Sequence, residues 1–383
     1  MLQMKLNLLF RRSMNMSKYD EIDFEKVSLQ LQQQVEKDPN NVKLRNELAI
    51  VFMETNEYEE AFFQLQAAAE INPSVQTLYN LAYFYFTEGK PIIEATSNTK
   101  EIRSSEEDAE EESMFSTWEI ADEEAFDIVE DLLKNKLDHY FPYNLMGEMY
   151  IKEEKYEEAI NVLKKGSNLT PSLENLSNLG LCYYKKGMLP EAAECFHKAH
   201  PLRSCNNYSL FPLLSYGICL AQLGKESEAR EVAKELLFLS EKEEEALEAD
   251  IAEIYYILGD YEEFVDIYSK LDWDFYSEAF LPTYFYSLWK LSKIKEIEEL
   301  ASKTIQRKEK EMKEVIQDPD EEEDFKDEYE EVTMEEITFI KNAVREIYKG
   351  KAPIIDYKPQ VETRCYLYGC FRHTNSNPNY FSI

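Results

Sequence analysis

Glycine and proline are scarce, at 10 and 13 of 383 residues. So few turn signals argue against a strand-and-turn protein and for a mostly helical one. Basic charge is also short. Lys plus Arg is 42 against 76 Asp plus Glu, so the formal charge is 42 − 76 = −34. Phosphate backbones and anionic membranes need a basic stripe, so nucleic acid and membrane surfaces are excluded as expected partners, and basic proteins are favoured. No apolar run reaches the roughly 18 residues that cross a bilayer. The most apolar stretch, Leu78–Phe86, is interrupted by Asn80. Four histidines give few general bases, and GxGxxG, phosphate-loop, HExxH and GxSxG motifs are all missing. Neither an enzyme nor a cofactor is expected. The 44% of hydrophobic residues still suffices for a core.

The first residues contain a short apolar stretch, Leu6–Phe10, followed by Arg11 and Arg12 rather than a small-residue cleavage site. Met14 or Met16 offers an alternative start, and an organellar address is the rival reading. A cytoplasmic protein is expected. The six cysteines, 182, 195, 205, 219, 365 and 370, are then expected as reduced thiols.

A pair of small residues twelve apart recurs: Ala49 and Ala61, Gly147 and Ala159, Gly180 and Ala192, Gly217 and Ala229. Ala252 and Phe264 hold a weaker version. The first members are spaced 180 − 147 = 33, 217 − 180 = 37 and 252 − 217 = 35, the period of a helix–turn–helix unit. A small residue is needed where two helix backbones cross closely. Large residues fill the gaps at spacings of three and four, as in Tyr143, Met146, Gly147, Tyr150, then Tyr156-Glu-Glu-Ala159, Leu163, Gly166 and Pro171. A second such series is Leu48, Ala49, Phe52, Tyr58-Glu-Glu-Ala61, Leu65, Ala68 and Pro73, and a third is Leu176, Leu179, Gly180, Tyr183, Gly187, Ala192, Phe196 and Ala199. Proline ends a helix and closes a unit. No single pair buries its stripe alone, so stacking is required.

At these residues the chain resembles the tetratricopeptide repeat (TPR) family. The resemblance covers residues 42–305, with units 42–74, 75–139, 140–172, 173–209, 210–244, 245–277 and 278–305. The last two keep Tyr255, Gly259, Tyr268, Leu288 and Trp289, but carry Phe264 and Phe285 in place of small residues. The resemblance implies an all-α right-handed superhelix, a TPR solenoid whose first helices line a concave groove. Residues 1–41 read as an overhang and a leading helix.

The second unit is too long. Gly89–Ala95 reads as the start of a second helix, after which 96–117 is polar and acidic, and Trp118–Leu137 is helical with Ala125, Val129 and Leu132 on one stripe. An acidic loop inserted within the unit is expected; a decayed extra repeat is the alternative. Residues 306–332 read as a helix end and an acidic, unstructured linker. Residues 333–350 read as a capping helix with Ile337, Ile340, Val344 and Ile347 inward. The tail, 351–383, has no helical period and is expected as loop or as a strap on the array.

Two Cys/His groups have partial metal-ligand spacing: His197 and His200 near Cys195 and Cys205, and Cys365-x4-Cys370-x2-His373. Cys195 belongs to the repeat's packing pattern and the second set lacks a fourth ligand, so no metal is expected. Ser104 and Ser105 precede acids and suit an acid-directed kinase, or are simply part of a solvated spacer.

Under the TPR resemblance, the first-helix residues facing the groove include Asn46 and Ile50; Asn80, Tyr83 and Phe86; Asn144 and Lys152; Asn178, Leu181 and Lys185; Tyr256; and Tyr286, Trp289 and Lys290. An asparagine there can donate to and accept from a peptide main chain at once. Tyr and Trp bring large contact area with few rotors to freeze. TPR proteins that grip a C-terminal carboxylate use Lys and Asn on one first helix, Asn on the next and Lys or Arg on the third. Asn80 and Asn178 match only the middle element, so that clamp is not supported. The expected function is a non-enzymatic interaction module or scaffold that binds a peptide or basic segment. A peptide-responsive regulator and an enzyme or metal site in the Cys/His tail are the alternatives.

Overall fold

The computed structural model describes residues 23–91, 118–135, 139–203, 209–243, 245–271, 280–318, 322–363 and 367–368. Among them sixteen α-helices form the architecture, with one short 3-10 turn and one pair of two-residue strands. The fold is an all-α array of helix hairpins. It divides into two compact units, residues 1–175 with 362–383, and residues 176–361.

The first unit holds α1 (Phe24–Lys37), α2 (Val42–Glu54), α3 (Tyr58–Ile71), α4 (Val75–Glu88), α5 (Asp122–Lys134), α6 (Tyr140–Lys152) and α7 (Tyr156–Leu169). Helix α8 (Leu173–Lys185) begins in it and continues in the second unit. The second unit also holds α9 (Leu189–Ala199), α10 (Phe211–Gln222), α11 (Glu226–Glu243), α12 (Glu248–Leu258), α13 (Tyr261–Tyr268), α14 (Leu281–Lys290), α15 (Ile294–Gln317) and α16 (Glu323–Tyr348). Several starts are set by local chemistry. The side chains of Asp23, Asn41 and Ser74 each accept a bond from the free backbone N–H three residues on, at Lys26, Leu44 and Thr77.

One backbone device repeats down the array. Seven residues after the helix-crossing position stands a residue with positive φ: Asn56 (49 + 7), Gly89 (82 + 7), Glu154 (147 + 7), Gly187 (180 + 7), Gly224 (217 + 7), Gly259 (252 + 7) and Ser292 (285 + 7). At all of these but Gly89, the next residue donates its N–H five residues back at 2.8–2.9 Å: Glu57 to Phe52, Lys155 to Tyr150, Met188 to Tyr183, Lys225 to Leu220, Asp260 to Tyr255 and Lys293 to Leu288. This Schellman closure satisfies the last carbonyls of each first helix and turns the chain into its partner. The hairpins at Ala252 and Phe285 share it, although their sequence pattern is weak.

The crossing residues are tight. A methyl built on Gly147 would lie 2.5 Å from Leu163, one on Gly180 2.8 Å from the Phe196 ring, and one on Gly217 2.6 Å from Ile254 of the next hairpin. The twelve-apart partners Ala61, Ala159, Ala192, Ala229 and Phe264 are all fully buried. The first two contacts bind a helix to its partner, and the third binds one hairpin of the second unit to the next.

The structure departs from the sequence reading at two places. Lys90–Pro91 is not a helix start but a strand, paired antiparallel with Trp118–Glu119 in the register Lys90 to Glu119 and Pro91 to Trp118. Gly89 is required there: a Cβ would meet the Glu119 carbonyl oxygen at 2.3 Å. Lys90 then bonds the carboxylates of Glu119 and Glu124. Helix α5, with Ala125, Val129 and Leu132 buried, completes the hairpin begun by α4. The expected insertion, 96–117, lies outside the described residues. The second departure is the acidic run after the array. Instead of an unstructured linker to residue 332, α16 begins at Glu323 and runs unbroken to Tyr348. Glutamate is a good helix former, Glu323 and Asp324 sit in the first turn where the helix dipole favours them, and Phe325 packs on Tyr329 four residues on. Ile337, Ile340 and Ile347 are buried, and Glu336 pairs with the buried Lys308 of α15 at 2.7 Å.

Candidate functional site

First helices in both units carry polar and aromatic residues, and in each unit part of the C-terminal segment lies on them. In the first unit, α4 brings Gln76, Tyr79 and Asn80 onto one stripe. The Asn80 amide donates to the Tyr368 carbonyl at 3.0 Å and accepts the Tyr368 N–H at 2.9 Å. Gln76 donates to the same carbonyl at 3.2 Å. The Tyr368 ring packs edge-on against Tyr79 at 4.8 Å and against His139 at 5.2 Å, with Phe141 at 5.1 Å. Asn80, Tyr79 and Phe141 are fully buried and Tyr368 is 1% exposed. The preceding Leu367 joins a different apolar cluster, with Leu31, Leu48 and Phe52.

In the second unit, residues 351–361 run without helix or strand. The Tyr357 hydroxyl is hydrogen-bonded to that of Ser215 on α10 at 2.8 Å, and its ring stands edge-on to Tyr184 of α8 at 5.9 Å. The Tyr256 hydroxyl of α12 donates to the Pro353 carbonyl at 2.8 Å. Burial pushes the Tyr357 phenol well above its ordinary value, with Asp250 and Glu253 adding to it. The same burial pushes the Asp250 carboxyl up to about 6 and that of Glu253 up to about 8, the latter helped by Asp250.

One of these hairpins matches a known family. Residues 142–172, most of α6 with α7 and Pro171, match the family model described as a tetratricopeptide repeat. That hairpin is a tetratricopeptide repeat. No curated protein matches the chain. Among solved structures it is similar to YrrB, "a TPR protein with an unusual peptide-binding site", at 17% identity and a TM-score of 0.37, over 63% of this chain and 98% of that one. It is similar to a tetratricopeptide repeat protein from Parabacteroides merdae at 16% and 0.46, over 79% and 99%. It is similar to human IFIT1, a dimer solved with PPP-AAAA, at 16% and 0.39, over 86% and 67%. At such identities a likeness concerns the fold and not the ligand.

The TPR groove residues read from the sequence divide into three groups. Asn80 and Tyr256 bond the chain's own tail. Others are structural: Ile50 and Leu181 are core residues at 0% and 2% exposure, and Asn46 donates to Thr77 of the next hairpin and to Val42 within its own helix. Asn144 is fully buried near Gly166, with neither amide atom hydrogen-bonded among the described residues, and Asn178 and Tyr286 are buried as well. For Asn46 and Asn144 an open groove wall is corrected to packing between helices, since Asn46 bonds Thr77 of the next hairpin and Asn144 lies beside Gly166 of its partner helix, and Ile50 and Leu181 are corrected to buried core positions. The accessible group is Tyr83, Phe86, Lys152, Lys185, Trp289 and Lys290. Lys152 pairs with Asp122 at 2.5 Å and lies over the Phe86 ring, and Lys290 lies over the rings of Tyr261 and Tyr286. Sequence reasoning missed Gln76, Tyr79, His139, Phe141, Tyr184 and Ser215 as contacts. Tyrosines in an aperiodic tail were the available signal.

Among the described residues no three His, Cys, Asp or Glu side chains gather as metal ligands. Cys195 is buried, and His197 lies 4.8 Å from the Tyr216 ring. Cys205, Cys365, Cys370, His373, Ser104 and Ser105 lie outside the described residues. Burial pushes the thiols of Cys182 and Cys219 up to about 12, which makes them packing groups and not nucleophiles. No helix among the described residues is long and apolar enough to cross a membrane.

Proposed function

We propose that this TPR chain is a non-enzymatic interaction module that binds a polypeptide segment on the first-helix faces of its hairpins. The observation that carries the reading is the Asn80 amide, which meets both main-chain groups of one residue while a ring fills the pocket beside it. Main-chain bonds give sequence-tolerant affinity and the pocket gives selectivity, which is how peptide-binding faces work. In the second unit the corresponding contacts are Tyr256, Ser215 and Tyr184, and Trp289 and Lys290 extend that surface. The net charge of −34 favours a basic partner and disfavours nucleic acid.

Selection of a displayed random-peptide library on the full chain, with Asn80→Ala as the paired control, tests this. Enrichment of peptides that is lost in Asn80→Ala supports it. No enrichment, or enrichment indifferent to Asn80, refutes it. Binding of a basic peptide should weaken as salt rises, and an oligonucleotide should not compete.

A further inference from the structure

The Tyr368 pocket fits its occupant in all but one atom. Asn80 and Gln76 satisfy the main chain, and Tyr79, His139 and Phe141 surround the ring. The hydroxyl is buried with the ring, yet it has no hydrogen-bond partner among the described residues. A buried hydroxyl that bonds none of the groups lining its pocket costs free energy relative to a ring without it. Sites that select tyrosine over phenylalanine do so by bonding the hydroxyl, and without such a bond the preference is lost. The pocket therefore recognises a residue's main chain and an aromatic ring, and works against the phenol oxygen.

We propose that this pocket is a recognition subsite for a phenylalanine-centred segment of another protein, and that the chain's own Tyr368 is a weaker stand-in which such a segment displaces. The proposal rests on the reading of these faces as peptide-binding. Phenylalanine offers the same ring to Tyr79, His139 and Phe141 and the same N–H and C=O to Asn80, with no orphaned polar atom. Displacement is competition at one subsite, so the partner's apparent affinity is reduced only by the fraction of time the tail is seated. A mismatched internal occupant keeps the face covered without closing it to the proper ligand.

The test uses the full chain carrying Tyr368→Ala, which removes the internal anchor, and three labelled peptides spanning residues 362–373. The peptides differ only at the position of Tyr368, which is Tyr, Phe or Ala. Anisotropy titration should give binding about tenfold tighter for Phe than for Tyr, and at least about tenfold weaker for Ala than for Tyr. Phe binding no tighter than Tyr overturns the proposal and leaves the peptide-binding reading standing. If none of the three binds a variant whose circular dichroism matches the unaltered chain, both fall. A second measurement needs no added peptide: in the full chain Tyr368→Phe should slow hydrogen exchange at the residue-368 amide, and faster exchange overturns the proposal.

Discussion

Replacing Gly180 by alanine sets two opposed effects against each other. Alanine is better in a helix interior than glycine by about 0.8–1.0 kcal/mol. Against this, the new methyl would stand 2.8, 2.9 and 3.0 Å from three atoms of the Phe196 ring, which is 1% exposed and rigid. Overpacking of a closed core costs about 1–3 kcal/mol. Gly180→Ala is therefore expected to lower stability by a net amount on the order of 1 kcal/mol. At Gly147 the nearest atoms are Cδ2 and Cγ of Leu163, at 2.5 and 2.6 Å, and a leucine end can swing aside. Ala49 with Leu65 already holds that pairing at the same spacing (49 + 16 = 65; 147 + 16 = 163), both fully buried. Gly147→Ala should accordingly be within about 1 kcal/mol of neutral. The double variant Gly180→Ala with Phe196→Leu should recover part of the single variant's loss, with a coupling energy above about 0.5 kcal/mol. Urea unfolding followed by helical circular dichroism measures these three variants and the Phe196→Leu single variant that closes the cycle. A Gly180→Ala chain as stable as the unaltered one, or strict additivity in the cycle, would refute close helix crossing as the reason for glycine.

Four further outcomes are expected. Glu154 sits at positive φ, where a side chain costs about 1–2 kcal/mol, so Glu154→Gly should be neutral or stabilising in thermal melts, while Gly187→Ala should destabilise. Asn80→Ala leaves the Tyr368 N–H without its acceptor, while Gln76 still serves the carbonyl; tail docking should weaken by about 1–3 kcal/mol, read as faster proteolysis near residue 368, and an unchanged rate would count against the contact. The carboxyls of Asp250 and Glu253 are raised from 3.8 and 4.5 to about 6 and about 8, so the folded chain binds more protons than the unfolded one over that range. Stability should fall as pH rises from about 4 to about 8, and Asp250→Asn with Glu253→Gln should flatten that fall; an unchanged slope would show that the pair is not desolvated. Deleting 97–116 should barely shift the melting temperature, because Lys90–Pro91 and Trp118–Glu119 already join the flanks; a large shift would show that the segment is packed.

The repeat was legible because its causes are local. Gly147, Gly180 and Gly217 mark helix crossings, Tyr156-Glu-Glu-Ala159 marks a helix start and Pro171 marks a closure, and all recur at a fixed period along the chain. The weak units at Ala252 and Phe285 kept the positive-φ turn at Gly259 and Ser292, a backbone requirement that serine conceals in the sequence. The acidic run from Glu323 was misread because charge density alone suggests repulsion. Helix propensity, first-turn placement and burial of the isoleucine stripe further along outweigh it.

The candidate site was half legible. Asparagine at position 80 on a first helix was enough to suggest a group that bonds a main chain in both directions, and it does. Which main chain it meets depends on residues 288 positions away, and no periodic signal links Asn80 to Tyr368 or Ser215 to Tyr357. Composition and period determined the helices, their pairing and their faces, since each depends on neighbours within a turn or one repeat. Only the tertiary structure decided what covers those faces, because an aperiodic tail is positioned by shape, burial and single hydrogen bonds that leave no spacing in the sequence to read.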